Sequence, residues 1–223
     1  MMQELPDYIT GFTNFRIHEA IYQTKDKKET ILLEFRLTVL EEDILFTVID
    51  GKQIRVETIH HLVQALPALV SLSIPHSIRL LWNGVIKQGE LVEIFSPSQD
   101  PKHPLIASLQ LRLTLDDQTY ETTICDNLQD AVQELEEMTE AEAQWWLCTC
   151  YHCHYSDHNR LYSLSDREYA CYRDVPEALA EIRAKGKIAS PEARRAGKYF
   201  VDAFHTCAAW KPAQTAPATE ETS

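Results

Sequence analysis

The segment LQLRLTLDDQTYETTICDNLQDAVQELEEM, residues 109–138, contains the pattern that decides the fold. Its first seven residues alternate apolar and polar side chains, which is the period of a strand with one buried face. A second short strand, QTYETTI, follows an acidic pair. Asp126 then caps a predicted helix, whose apolar residues recur at spacings of four, three and three and so share one face. These residues are Leu128, Val132, Leu135 and Met138.

A similar order of elements is predicted earlier in the chain. The alternating stretch LEFRLTVLEED (33–43) is followed by a short strand, KQIRVET (52–58), and by a helix, HHLVQAL (60–66), introduced by Thr58. Both helices are followed by an apolar stretch, SIRLLW (77–82) in one copy and AQWWLC (143–148) in the other. The order predicts an α+β fold, with a mixed sheet built from two related β-β-α-β units. Ordinary α+β proteins also show such alternation without any duplication.

Charge divides the chain unevenly. The 223 residues carry a formal net charge of −13. Residues 148–211 have ten basic and eight acidic side chains, whereas residues 1–147 have 11 basic and 24 acidic ones. The shift predicts an acidic α+β region over 1–147, a Cys/His-rich module over 148–211 and a disordered tail over 212–223. Nucleic acid is an unfavourable partner for a chain of this net charge.

The N-terminal sequence and the cysteine content predict a cytoplasmic protein. MMQELPDYITGF lacks the basic stretch and apolar run of a secretory signal, and the longest apolar runs are too short to span a membrane. Six cysteines in a reducing compartment favour metal binding, redox chemistry or simple burial over structural disulfides.

The stretch CTCYHCHYSDH, residues 148–158, is the strongest chemical signal in the sequence. Zinc binds four ligands in a tetrahedron, and a CxxC spacing lets two sulfurs from one turn reach the same ion. Such a pair needs two further ligands from elsewhere, in EYACYRD and FHTCAAW. The sequence therefore predicts a structural zinc site with His205 or His154 as substitutes for the fourth ligand. The four predicted ligands are Cys150, Cys153, Cys171 and Cys207.

Other uses of the same residues remain open. Buried thiols behave as small apolar side chains, and this is the expected role of Cys148 and Cys125. A CxxC can also be a redox motif, but the following HYSDHNRLYSLSD is a poor opening for the helix that such sites use. A catalytic zinc with an open position is conceivable with His152, His154 and His205, although no matching general base is evident.

The cysteine motifs resemble those of a family of uncharacterised bacterial proteins, a domain of unknown function. The shared pattern is CxxCxYSD, here beginning at Cys150, then C(Y/F)R, here at Cys171, and a late cysteine before an aromatic residue, here Cys207. The likeness covers about the last third of the chain, from Trp146 to Trp210. The resemblance implies that the four predicted zinc ligands act together, and it implies no activity.

These observations favour a cytoplasmic interaction or adaptor protein with a structural zinc, binding a protein partner and no membrane. The first alternative is a zinc-dependent enzyme or thiol oxidoreductase centred on the cysteine and histidine cluster. The second is a nucleic-acid-binding zinc module, because basic residues lie close together in the sequence near the predicted site. They are Arg183, Lys185, Lys187, Arg194, Arg195 and Lys198. Scattered acidic residues make a solvent-exposed helix surface the better interpretation of this group.

Overall fold

The computed structural model of the protein describes residues 14–37, 44–49, 52–56, 58–98, 107–125, 127–139, 145–158, 168–186, 189–190, 192–193, 196–197, 199–204 and 207–212. The larger of its two sheets contains β1 (Asn14–Thr24), β2 (Lys28–Leu37), β3 (Ile44–Ile49), β4 (Lys52–Val56), β5 (Leu69–Trp82), β6 (Val85–Ser96), β7 (Ser108–Leu115), β8 (Gln118–Glu121) and β9 (Trp145–Leu147). The smaller sheet contains β10 (Ser156–His158), β11 (Glu168–Cys171) and β12 (Tyr199–Asp202). The described α-helices are α1 (Ile59–Ala65), α2 (Leu128–Thr139) and α3 (Pro176–Lys185).

Both sheets are antiparallel. The large sheet has the order β4-β3-β2-β1-β5-β6-β7-β8, with β9 pairing with β5 beside β1. The α+β class is confirmed, but the predicted mixed sheet is wrong, since every ladder between the described strands is antiparallel. Most of these ladders join strands that follow each other after a connection too short for the crossover that a parallel pair needs. One of these connections is the two-residue turn Asn83–Gly84, with φ values of 47° and 81°.

The order strand, strand, helix, strand occurs twice, as β3-β4-α1-β5 and as β7-β8-α2-β9. The first copy begins one strand later than predicted. Of the stretch beginning at Leu33, residues 33–37 lie within β2 and residues 38–43 lie outside the described part of the chain. The hairpin partner of β4 is β3, whose near-continuous apolar run ILFTVI shows no alternation. Strands β1 and β6 were not predicted either. The two copies place their hairpins at opposite edges of the large sheet.

Helix α2 packs on the large sheet largely as its periodicity predicts. Leu128, Val132 and Leu135 are buried. Met138 is 43% exposed, contrary to the prediction, and Thr139 occupies the buried position in the last turn, where its hydroxyl accepts a hydrogen bond from the Trp145 indole. Eleven residues make close to three turns of helix, so Thr139 lies on the same face as Leu128, whereas two successive spacings of three leave Met138 rotated by about 80° from Leu128.

The N-terminal caps of α1 and α2 involve side-chain oxygens. Thr58 accepts a hydrogen bond from the backbone N–H of His61 at 3.1 Å, as predicted for α1. For α2 the Asn127 Oδ1 accepts from the backbone N–H of Asp130 at 2.9 Å. The predicted cap, Asp126, lies outside the described residues.

The smaller sheet packs with α3 around a second apolar cluster. The sequence predicts a helix that starts after Asp174 at Pro176 and stops at Gly186; in the structure Leu179 and Ile182 are buried on α3, and Gly186, at a φ of 54°, ends it. The sequence GKYFVDAFHTCAAW (197–210) predicts a final strand, but β12 is shorter because the chain turns at Ala203 and Phe204, which join the core of the large sheet. The division into two regions and a tail stays a prediction, although Pro212, expected to begin the tail, forms an isolated bridge with Cys153.

A glycine in β6 provides a test of packing between the central strands. A Cβ on Gly89 would lie 2.9 Å from Leu80 Cδ1 and 3.0 Å from the carbonyl oxygen of Thr114. We expect Gly89→Ala to lower the free energy of unfolding by about 1–3 kcal/mol, because the backbone oxygen cannot move aside without disturbing β7. Urea denaturation measures the change, and Ser77→Ala at an exposed position of β5 is the control. Equal stability of the two variants would contradict the packing argument.

The longest of the described helices is α2, with twelve residues. Within the part of the chain that the structure describes, no helix combines the length and hydropathy that crossing a bilayer requires.

Candidate metal centre

The CxxC segment forms a tight turn between the two sheets. Residues Cys150–His152 make one turn of 3₁₀ helix, and the backbone N–H of Cys153 donates to the carbonyl oxygen of Cys150 at 3.3 Å. The buried Ser156 hydroxyl donates to the carbonyl oxygen of Cys153 at 2.9 Å and also contacts that of Cys150. Ser156 therefore holds the backbone of the turn in place, and this is a structural role for the serine of the CxxCxYSD pattern.

The register of the small sheet brings Cys171 to this turn. Cys171 ends β11 and lies directly opposite Ser156 of β10. The next residue, Tyr172, donates its backbone N–H to the carbonyl oxygen of Tyr155 at 2.8 Å. Cys171 is thus placed beside the CxxC turn by strand pairing, although 18 positions separate it from Cys153.

Cys207 approaches from a third segment. Its carbonyl oxygen accepts a hydrogen bond from Arg79 Nη2 at 3.4 Å, and its Sγ accepts one from the backbone N–H of Ala209 at 3.4 Å. Beyond this turn the carbonyl oxygen of Lys211 accepts from the backbone N–H of His154 at 2.8 Å. The segment 207–212 therefore runs along the CxxC turn.

Three of the four predicted ligands interact electrostatically. Burial raises the pKa of the Cys171 thiol, a hydrogen bond from the Arg173 backbone opposes this shift, and the charges of Cys153 and Cys207 raise the pKa further. Cys171 is therefore close enough to Cys153 and Cys207 for their charges to affect its pKa. Among the described residues, however, no three His, Cys, Asp or Glu side chains are arranged to hold a metal ion. His205, a predicted substitute ligand, lies outside the described residues.

The histidines of the cluster have structural contacts. His152 Nδ1 accepts the backbone N–H of Leu147 at 2.9 Å, and its Nε2 lies 3.0 Å from Glu136 Oε1. Both of its nitrogens are engaged, which argues against His152 as a ligand of a catalytic zinc. His154 is half-buried, with its ring centroid 5.2 Å from that of Tyr155.

Two of the basic residues predicted near the site make intramolecular contacts. Arg183 Nη2 donates to the carbonyl oxygen of His154 at 2.7 Å, and Lys185 Nζ lies 3.1 Å from Glu181 Oε1 within α3. The Arg183 contact ties α3 to the CxxC segment. The other four, Lys187, Arg194, Arg195 and Lys198, lie outside the described residues.

The remaining two cysteines lie in other surroundings. Cys148 is 1% exposed, and burial raises the pKa of its thiol, while the charge of Arg79 opposes the shift. Cys125 pairs with Leu109 in an isolated antiparallel bridge, and its Sγ lies 3.4 Å from Glu134 Oε2. Burial and the Glu134 carboxylate raise the pKa of Cys125 to about 11.

The raised pKa of Cys125 predicts a loss of stability at alkaline pH. The thiol ionises at its ordinary pKa of 9.0 in the unfolded chain but holds its proton to about 11 in the folded protein. The folded state therefore binds more protons in this window, so stability falls as pH rises from about 9 to about 11. We expect Cys125→Ser to lose less stability than the unaltered protein over this range in urea denaturation. Parallel curves for the two proteins would contradict the assignment.

A buried hydrogen-bonded pair, His76 and Glu93, was missed by the sequence analysis. His76 Nε2 on β5 lies 2.8 Å from Glu93 Oε2 on β6, and the two side chains are 7% and 1% exposed. The His76 ring lies 5.3 Å from that of His18 and 4.9 Å from that of Phe204, centroid to centroid. The available signal was the alternation in LVEIFS, which puts Glu93 in register with the buried Leu91 and Phe95.

The chain was compared with models of known protein families, with curated proteins and with solved structures. None of the three comparisons gives a match. The resemblance noted for the cysteine spacing therefore depends on the short motifs alone.

Proposed function

We propose that the chain is a cytoplasmic protein-interaction or adaptor protein whose C-terminal module is stapled by a structural zinc ion. The proposed ligands are Cys150, Cys153, Cys171 and Cys207, with His205 or His154 as substitutes for the fourth. The observation that carries the proposal is the convergence of three separate segments: Cys171 lies opposite Ser156 of the CxxC segment, and the segment that contains Cys207 runs along the CxxC turn. Cysteine thiolates from separate segments are typical ligands of structural zinc.

The small size of the second apolar core supports the proposal of a structural zinc ion. The described core of the C-terminal module has seven buried residues, four of which are alanines. An alanine offers one methyl group, so such a cluster removes little apolar surface from water. Small modules with cores of this kind commonly depend on a metal or on disulfides, and zinc contributes folding energy directly. The seven are Ala170, Tyr172, Ala178, Leu179, Ile182, Ala189 and Ala193.

An exposed apolar tip on the large sheet supports an interaction role. Val85 is 60% and Ile86 is 52% exposed where the β5–β6 hairpin turns. Leu81, cross-strand from Ile86, is also cross-strand from Trp146 of β9, so an apolar row crosses three strands. Exposed apolar groups held on a rigid turn are typical of contact surfaces between proteins.

The first test is the metal content of protein purified without added metal, measured by mass spectrometry. We expect about one zinc ion per chain, as a single tetrahedral structural site requires. Substitution by cobalt should give the spectrum of a closed thiolate site that does not respond to added anions. Absence of metal would contradict the zinc site. A turnover reaction that depends on His154 or His205 would contradict the interaction role.

A thiol oxidoreductase is the second candidate, favoured by the surroundings of Cys207. Its Sγ lies 3.9 Å from Arg173 Nη1 and accepts the Ala209 N–H. A cation and an N–H donor beside a sulfur are typical of reactive thiols. Metal-free protein whose thiols are reversibly oxidised and reduced would support this candidate over the zinc site.

A further inference from the structure

We propose that the metal of this site is a clamp between the two sheets and that Arg79 is the residue that positions the clamp on the large sheet. The inference rests on the proposed zinc site and concerns what the bound ion holds together. A zinc site internal to the C-terminal module would stabilise only that module. A clamp also fixes the module to β5 and β9.

The position of Cys207 is set by the large sheet. The chain preceding it, Ala203 and Phe204, belongs to the core of that sheet, and the Phe204 ring lies 4.9 Å from the His76 ring on β5. Three residues further along β5, Arg79 donates to the Cys207 carbonyl oxygen. Contacts with β5 therefore determine the position of Cys207 beside the other cysteines.

The positions of Cys153 and Cys171 are set by the small sheet. Cys171 ends β11, and Ser156 of β10 fixes the backbone of Cys153. An ion that binds all three sulfurs therefore joins ligands supported by different sheets. The ion adds to the hydrogen bonds that already join the CxxC turn to the chain before Cys207. One of them is donated by the Tyr151 backbone N–H to the Ala203 carbonyl oxygen at 2.9 Å.

Arg79 contacts both chain segments that lead to the cysteine cluster, one at Cys148 and one at Cys207. Its backbone carbonyl oxygen accepts the N–H of Cys148 at 2.8 Å, immediately before the CxxC turn, while its guanidinium holds the Cys207 carbonyl oxygen. One residue of β5 therefore sets the separation of the two segments that carry the CxxC pair and Cys207. Arg79 does not itself bind the metal in this arrangement and acts through the backbone of these segments.

The clamp is tested by hydrogen exchange of the full chain, loaded with zinc and after removal of zinc by the chelator TPEN. We expect chelation to speed amide exchange by about tenfold or more in β9 and at residues 201–204, because these segments lead into the CxxC turn and the Cys207 turn, which are no longer joined by the ion. Exchange that changes only in β10, β11 and the CxxC turn would overturn the clamp while the zinc site stands. Protein that never binds zinc would overturn both.

The role of Arg79 is tested by Arg79→Met, with Arg112→Met as the matched control. Arg112 lies on β7, where its Nε makes a surface ion pair with Glu121 at 2.7 Å. We expect Arg79→Met to bind zinc in the same ratio but to exchange about tenfold faster than the unaltered protein at 207–212 while zinc is bound, the factor expected for a lost hydrogen bond. Arg112→Met should match the unaltered protein. If the methionine variant does not fold, Arg79→Lys is measured instead, since it lacks the guanidinium that donates to the Cys207 carbonyl oxygen. Normal exchange at 207–212 in the zinc-loaded variant would overturn the role of Arg79.

Discussion

Replacing Glu93 with leucine is expected to lower the free energy of unfolding by about 3–5 kcal/mol, because it leaves the buried His76 without its partner. The pair lies on the inner face of the large sheet, where water cannot replace the lost hydrogen bond. Urea denaturation monitored by circular dichroism measures the effect. Replacement of His76 alone should be costly for the same reason, since it leaves the Glu93 carboxylate in the core.

The double variant His76→Leu/Glu93→Leu separates a broken pair from a simple loss of packing. Two leucines can replace a buried ion pair with little net cost, so the double variant should be more stable than the Glu93→Leu single variant. Glu90→Gln is the control, since Glu90 is exposed on the same strand and its replacement should change stability by less than about 0.5 kcal/mol. A Glu93→Leu variant as stable as this control would show that the pair does not matter.

Serine in place of Cys171 is expected to abolish stoichiometric zinc binding and to destabilise the C-terminal module. Structural zinc sites contribute about 10–16 kcal/mol of apparent binding energy in zinc-finger peptides, so loss of one thiolate should cost several kcal/mol. Zinc content by mass spectrometry and thermal unfolding by calorimetry measure the two effects. We expect the same result for Cys153→Ser and Cys207→Ser.

Cys125→Ser is the matched control for these variants, because Cys125 lies near Glu134 and away from the cluster. It should keep one zinc ion per chain. A Cys171→Ser protein that also keeps its zinc would exclude Cys171 as a ligand. Zinc lost on replacement of His205, but retained in Cys207→Ser, would identify the histidine as the fourth ligand.

The sequence predicted helices whose first residue, buried face or last residue has a recognisable local signal. Helix α3 was found from a proline at its first residue and Gly186 after its last, and α2 from the spacing of its buried side chains. The antiparallel order could not be read in this way, because a period of two shows which face is buried but not which strand lies alongside. Strand β3 was missed because its apolar run lacks that period.

The candidate site also combines a feature that is local in the sequence with contacts between distant residues. The CxxC pair is local and could be recognised from its spacing, whereas the approach of Cys171 depends on its pairing with Ser156 across a long connection. The contact of Arg79 with Cys207 joins residues 128 positions apart, and no sequence period reports it. The alternation in LVEIFS indicates that Glu93 is buried, but no sequence period identifies His76 as its partner.

The two hairpins at opposite edges of the large sheet have a consequence for how the protein meets other molecules. The edge strands β4 and β8 have only five and four residues and expose charged side chains such as Lys52, Arg55 and Glu121. Short, charged edge strands disfavour pairing with a strand of another molecule. This protects the sheet against fibril formation and non-specific edge-to-edge association. We therefore expect copies of this chain not to add strands to one another along the borders of the large sheet.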